Sequence, residues 1–247
     1  MTDPANPLQQ YFAANSGRLL HKWHHYFDIY HRHLAKFRGT PISLLEIGVF
    51  HGGSLHMWRD YLGPSAHIIG VDVDSRCAAL ADARAEVVIG DQEDRSFLTR
   101  LCDRAGPFDV TIDDGGHTMS QQVTAFDVLW PAVRESGIYL VEDRHTNYWP
   151  TYGGGLRREG TFIELTKRLV DQVNAWHSKD PSFTVDSFTR SVSGLHIYDS
   201  IVVLDKASVQ PPRHSITGIP SFDDDATNRF LTAQRAYEES LKDLPPH

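Results

Sequence analysis

FDVTIDDGGHT (108–118) and GIYLVEDRHTNYW (137–149) are two apolar runs that each end in a pair of acids, Asp113-Asp114 and Glu142-Asp143, with His117 and His145 shortly beyond. Between them, residues from about 119 to 134 carry apolar side chains at helical spacing, so the three segments read as strand, helix and strand. Such a unit is a right-handed crossover between parallel strands. In a parallel α/β sheet the carboxyl ends of neighbouring strands open on one crevice. Four carboxylates and two imidazoles would therefore converge there, the outline of a divalent-metal and proton-transfer site.

The same alternation extends in both directions. Strand-like runs SLLEIGV (43–49), HIIGVDV (67–73) and EVVIGD (86–91) are separated by helical patterns near 53–62, 75–84 and 93–104. After residue 143 the pattern changes: NYWPTYGGGLRREG (147–160) is aromatic and glycine-rich and reads as a mobile loop, with Tyr148, Trp149 and Tyr152 suited to stack on a bound ligand. A helix from about 161 to 177 follows, and GLHIYDSIVVLDK (194–206) breaks at Asp199-Ser200 into an antiparallel hairpin. At the other end, Leu20, Trp23, Phe27, Tyr30, Leu34 and Phe37 recur every three or four residues, predicting one amphipathic helix over about 17–37. Lys22 and Trp23 on that helix could close over a bound cofactor. The expected fold is α/β, a doubly wound, mostly parallel seven-stranded Rossmann-like sheet with an antiparallel C-terminal hairpin. It forms a single domain over 1–247, with a helical cap at 1–40, an α/β core at 43–206 and a helical tail at 207–247 whose last helix runs to about 243.

With 247 residues, 40% of them hydrophobic, the chain can bury a full core. Lys and Arg number 24 against 32 Asp and Glu, a net charge of −8 with no basic block, which argues against nucleic acid as a partner. No run is long and apolar enough to span a bilayer, and MTDPANPLQQ lacks the pattern of a secretory signal, so a cytoplasmic location is expected. Cys77 and Cys102 have no metal or redox spacing and read as small core residues in a reducing compartment. Five histidines (His21, His24, His25, His31 and His33) crowd the N-terminal helix. His21 and His25 have metal-ligand spacing but lack the intervening glutamate of an HExxH motif, so this face reads as solvated or interfacial and leaves room for a homo-oligomer.

The first strand ends in Glu46-Ile47-Gly48 and is followed by Gly52-Gly53-Ser54 at a helix start, a turn that lets a ligand approach the backbone. The glycines run G-x-x-x-G-G rather than GxGxxG, which argues against a dinucleotide cradle. Asp72 ends the second strand, where an acid binds ribose hydroxyls, and Gly90-Asp91-Gln92 ends the third, suited to an adenine edge. In combination ExGxxxGxS, VDxD, GDQ, IDDGGH and VED resemble class I S-adenosylmethionine-dependent methyltransferases. IDDGGH with VEDxHTxYWPxYGGG is similar to the metal-dependent sugar O-methyltransferases of macrolide and actinobacterial glycan tailoring, and to the cephalosporin-hydroxylase-like group of the same fold. The likeness spans about residues 17 to 205.

The resemblance implies Mg2+ on Asp114, Glu142 and Asp143, with His117 taking the proton of an acceptor hydroxyl. It implies S-adenosyl-L-methionine contacts from Gly48, Asp72, Asp91 and Gln92, with Glu46 supporting the turn; Ser54 and Asp113 join the cofactor-side candidates. His145 is the second candidate base, or a group that orients the acceptor. The methyl of a sulfonium is already activated, so what the chemistry lacks is a nucleophilic oxygen, which a cation and a base supply. The implied activity is methyl transfer to a sugar hydroxyl of a small molecule or oligosaccharide. A catechol or phenol O-methyltransferase and a non-catalytic S-adenosylmethionine-binding accessory protein are the alternatives. The macrolide enzymes carry an auxiliary N-terminal domain where this sequence places a helix, so acceptor specificity does not transfer. A hydroxylase would need an iron site, and no His-x-Asp triad stands in the expected setting.

Overall fold

The computed structural model describes residues 6–240. These fall into two compact units, one running to Ser208 and one beginning at Val209. In the first, the chain runs α1 (Pro7–Ala14), α2 (Tyr26–Leu34), β1 (Ser43–Ile47), α3 (Gly53–Leu62), β2 (His67–Asp72) and β3 (Glu86–Ile89). It continues with α4 (Arg95–Ala105), β4 (Phe108–Asp113), α5 (Met119–Ala132), β5 (Val133–Val141), α6 (Phe162–Val173), β6 (Val192–Ile197) and β7 (Val202–Lys206). The strands form one sheet in the order β3-β2-β1-β4-β5-β7-β6. β1 to β5 pair in parallel, β7 lies antiparallel to β5, and β6 antiparallel to β7. This is the expected doubly wound Rossmann-like sheet with its antiparallel end.

Side chains alternate along each strand, so neighbouring residues feed opposite faces. Leu44, Val110, Ile112, Ile138 and Leu140 join α2 and α3 in one core, while Leu45, Ile47, Ile69, Val71, Tyr139 and Val141 join α4, α5 and α6 in the other. Both faces are covered, which is why the strands read as continuous apolar runs. The strand order reverses between β1 and β4, and there the register is level: Ile47 pairs with Asp113, and Asp113 with Val141. The ladder extends one residue further, with Asp114 N donating to Ile47 O at 3.0 Å and Glu142 N to Asp113 O at 2.9 Å. This alignment sets the acid pairs side by side at the switch point.

Three expectations are corrected. The single helix over 17–37 is a non-helical segment followed by the shorter α2 and a 3-10 turn at Ala35–Phe37. Phe27, Tyr30, Leu34 and Phe37 enter the core as predicted, but Trp23 is 50% exposed, because Lys22 beside it is drawn into the crevice by two acids. His33 is not on a solvated face; it is buried. The segment 75–84 holds only a 3-10 turn, Ser75–Leu80, after which Asp82 binds Arg18 and His56 and bridges to Ala85.

The second unit contains α7 (Asp225–Ser240), with Asp224 Oδ1 accepting from Thr227 N at 2.7 Å at its start. The expected extension to about 243 lies outside the described residues. Among the described residues no helix is long and apolar enough to cross a membrane.

Candidate active site

The crevice is built from the turns after β1, β4 and β5. After β1, Gly48 takes φ +95°, and a Cβ there would lie 2.0 Å from the carbonyl oxygen of Asp114. The two turns therefore touch backbone to backbone, and only glycine fits. Asp72 braces the β1 turn: its Oδ2 accepts from Val49 N at 2.9 Å and Phe50 N at 3.0 Å, and its Oδ1 from Asp74 N at 2.9 Å. Glu46 is fully buried, accepting from Ser54 Oγ at 2.7 Å and Trp58 Nε1 at 2.9 Å, and burial pushes its carboxyl up to about 7. It holds strand to helix from beneath. Gly48→Ala combines a strained φ with a backbone clash and is expected to lower stability by about 2–4 kcal/mol. Equilibrium urea unfolding checks this; wild-type stability would mean the two turns can move apart freely.

After β4, Gln92 Nε2 donates to Asp113 Oδ1 at 3.1 Å while its Oε1 accepts from Gly116 N at 2.8 Å, pinning the Gly115-Gly116 turn. Asp113 is buried, its other oxygen has no partner, and desolvation raises its carboxyl to about 7. His117 follows with φ 59°, and Thr118 starts α5 with a capping box shared with Gln121. After β5, Asp143 takes φ 52°. With Phe50 at φ 51° in the β1 turn, three non-glycine residues lining one crevice lie in the left-handed region, strain held by the surrounding structure. The side chains of His117 and Asp143 meet: His117 Nε2 lies 3.5 Å from Asp143 Oδ2 and 3.9 Å from Asp114 Oδ1. One donor atom from each of Asp114, His117 and Asp143 falls within 4.8 Å of the others.

Lys22 completes the cluster. Its Nζ donates to Asp114 Oδ2 at 2.5 Å and to Glu142 Oε1 and Oε2 at 3.1 and 2.9 Å. Burial opposes its charge, but Asp114, Glu142 and Glu46 outweigh that, so its pKa is raised and it stays an ammonium. Glu142 is pushed well above the usual carboxylate range, by burial and then by Asp114, with Lys22 opposing. Tyr26 OH donates to Asp143 Oδ1 at 2.8 Å. Of the three expected metal residues, the structure groups Asp114 and Asp143 with His117, and ties Glu142 to Lys22. All of them line one cavity, with Gly48, Ser54 and Trp23. An adjoining cavity shares Gly48, Asp114 and Gly115 with it and is lined also by Asp72, Asp91 and Gln92.

The remaining candidates lie apart from these linings. His145 Nδ1 is 2.6 Å from Ser200 Oγ, and its ring packs between Trp23 (centroids 5.7 Å apart) and Trp149 (4.9 Å). Tyr148 and Trp149 are half exposed, and Tyr152 borders a shallow hollow beside Met119. The loop carrying them is anchored rather than loose. Asn147 is buried, donating to Gln122 Oε1 at 2.9 Å and accepting from Ile163 N at 2.8 Å. The buried Arg144 guanidinium lies 4.3 Å over the Phe162 ring, and burial lowers its pKa to about 9. The pairing of Lys22 with the acids, Tyr26 on Asp143, and this Asn147-Gln122 anchor were not foreseen from sequence.

A methyltransferase-domain family model matches residues 45–144. The chain is 39% identical over 213 residues to a tetracenomycin-C rhamnosyl 3'-O-methyltransferase of Streptomyces olivaceus, covering 81% of this chain and 52% of that protein. It is 34% identical over 224 residues to mycinamicin VI 2''-O-methyltransferase of Micromonospora griseorubida, covering 86% of this chain and 53% of that one. Among solved structures, the mycinamycin-pathway methyltransferase MycE, in complex with Mg, SAH and mycinamycin VI, superposes with a TM-score of 0.72 at 32% identity. The match covers 92% of this chain and 58% of that one. The chain thus spans about half the length of the curated relatives it matches. Sheet order, the level acid pairs at the switch point and these matches together show a Rossmann-like methyltransferase domain, similar to the sugar O-methyltransferases of macrolide and tetracenomycin pathways.

Proposed function

We propose that this chain transfers the methyl group of S-adenosylmethionine to a hydroxyl of a sugar on a glycosylated small molecule, with Mg2+ as resident ion. The observation that carries the reading is the meeting of Asp114, His117 and Asp143 where the cavity lined by the β1, β2 and β3 turns adjoins the one beneath Lys22 and Trp23. The relatives' sugar acceptors support the substrate class.

The donor set suits a hard divalent cation: carboxylates dominate, and the position already stabilises the positive charge of Lys22. Asp114, Glu142 and Asp143 would hold it. When bound, the ion would stabilise negative charge developing on the acceptor oxygen. Imidazole is a poor partner for magnesium, which leaves His117 free to accept the hydroxyl proton at Nε2. That Nε2 lies 3.5 Å from Asp143 Oδ2 and 3.9 Å from Asp114 Oδ1, beside the position assigned to the ion. Gly48, Asp72, Asp91 and Gln92 line the cavity assigned to the methyl donor, with Glu46, Ser54 and Asp113 shaping it. Trp23, His145 and Trp149 form an aromatic wall for the sugar, with Tyr148 and Tyr152 further along the same loop. The two cysteines are free thiols, which suits a cytoplasmic enzyme.

Transfer of labelled methyl from S-adenosylmethionine to a panel of partly methylated mono- and disaccharides, with catechols as controls, tests the reading. Activity is expected on a sugar, abolished by EDTA and restored by Mg2+. Transfer to catechols alone would reassign the acceptor, and binding of adenosylhomocysteine without transfer to any member would leave an accessory protein.

A further inference from the structure

We propose that His33, His196 and Asp205 form a second metal site, separate from the crevice, that takes a borderline divalent ion of the zinc class and pins α2 to the edge of the sheet. None of the three residues lines the cavities described above.

The site is built by register. β6 and β7 pair Gly194 with Asp205 and His196 with Val203, so His196 and Asp205 are diagonal neighbours on one face. His196 Nε2 lies 2.7 Å from Asp205 Oδ2. α2 lays His33 across them: the two imidazole centroids are 4.7 Å apart, and one donor atom from each of the three residues lies within 4.8 Å of the others. Zinc bonds of about 2.1 Å in a tetrahedron put ligand atoms roughly 3.4 Å apart, so small side-chain rotations close the set. Tyr198 OH, 2.9 Å from His33 Nε2, stands ready as a fourth donor or as a hydrogen-bond partner that orients the ring.

An independent observation concerns space. A Cβ on Gly194 would lie 3.1 Å from both Asp205 Oδ2 and His196 Nε2, so glycine keeps the volume over the donor pair open. His33 is buried with 8% of its surface exposed. Its ring meets the His196 ring edge-on, which brings a nitrogen of each imidazole to the same small volume. Two imidazoles and one carboxylate suit zinc better than magnesium. The mechanical consequence reaches the crevice, because Tyr26, two turns before His33 on α2, donates to Asp143.

The test is a calorimetric titration of the full chain with zinc in excess Mg2+, paired with zinc X-ray absorption. One zinc per chain with two imidazole ligands is expected, retained in Asp143→Asn and weakened at least about tenfold in both His196→Gln and Asp205→Asn. His196 and Asp205 are partly exposed on the hairpin, so these polar substitutions leave the core intact. Equal zinc affinity in wild type and both hairpin variants, or a zinc site lost in Asp143→Asn and kept in His196→Gln, would overturn the proposal.

Discussion

Asp143→Asn is expected to reduce methyl transfer by about 10²–10³-fold at saturating Mg2+, the several kcal/mol that a correctly held cation contributes to an oxyanion at about 1.4 kcal/mol per decade. The substitution isolates charge from fold. Asp143 has φ 52°, and asparagine tolerates that region about as well as aspartate. Asn Oδ1 can still accept from Tyr26 OH, now at 2.8 Å from the carboxylate. Only the negative charge beside His117 and Asp114 is lost. The same change at Glu142 would be less clean, since it would leave the buried Lys22 ammonium with Asp114 as its sole remaining ion-pair partner. Binding of adenosylhomocysteine, followed by calorimetry, should stay unchanged, because Asp143 is not among the residues lining the donor cavity. Wild-type turnover in the variant would remove Asp143 from the proposed ligand set.

How much of this could be read from sequence follows from the range of each interaction. The acid pairs were legible because strand ends in a parallel sheet share one side, and the level register of β1, β4 and β5 then sets Asp114 beside Glu142. The start of α1 carries Asn6 as N-cap and Pro7 in the first turn, but its apolar periodicity is too short to mark a helix by itself. Lys22 was opaque: its partners are 92 and 120 residues away, and the amphipathic pattern around it argued for a helix it does not join. That pattern is real for Phe27 to Phe37; Leu20 packs against the core from a non-helical segment, and Trp23 is half exposed. Nothing local in the cluster of N-terminal histidines separates His33 from its neighbours; only the fold brings it to β6 and β7. Likewise Asn147, set in an aromatic loop, gains its meaning from Gln122 across α5.

His117→Asn is expected to lower kcat by about 10²–10⁴-fold, the usual contribution of a positioned base. Asparagine accommodates φ 59° and keeps a polar group in the turn, but it cannot accept a proton. Donor affinity should hold, because the turn is pinned by Gln92 and by the Thr118 capping box, not by the imidazole. His145→Ala supplies the contrast. That ring is engaged by Ser200 Oγ at 2.6 Å and packed between two indoles, so its loss should act chiefly on the acceptor KM by loosening the aromatic wall. Steady-state kinetics of the two variants with one sugar acceptor separate the roles. If kcat collapses in His145→Ala and persists in His117→Asn, the proton passes to His145, and the clustering of His117 with Asp114 and Asp143 serves the ion instead of the base.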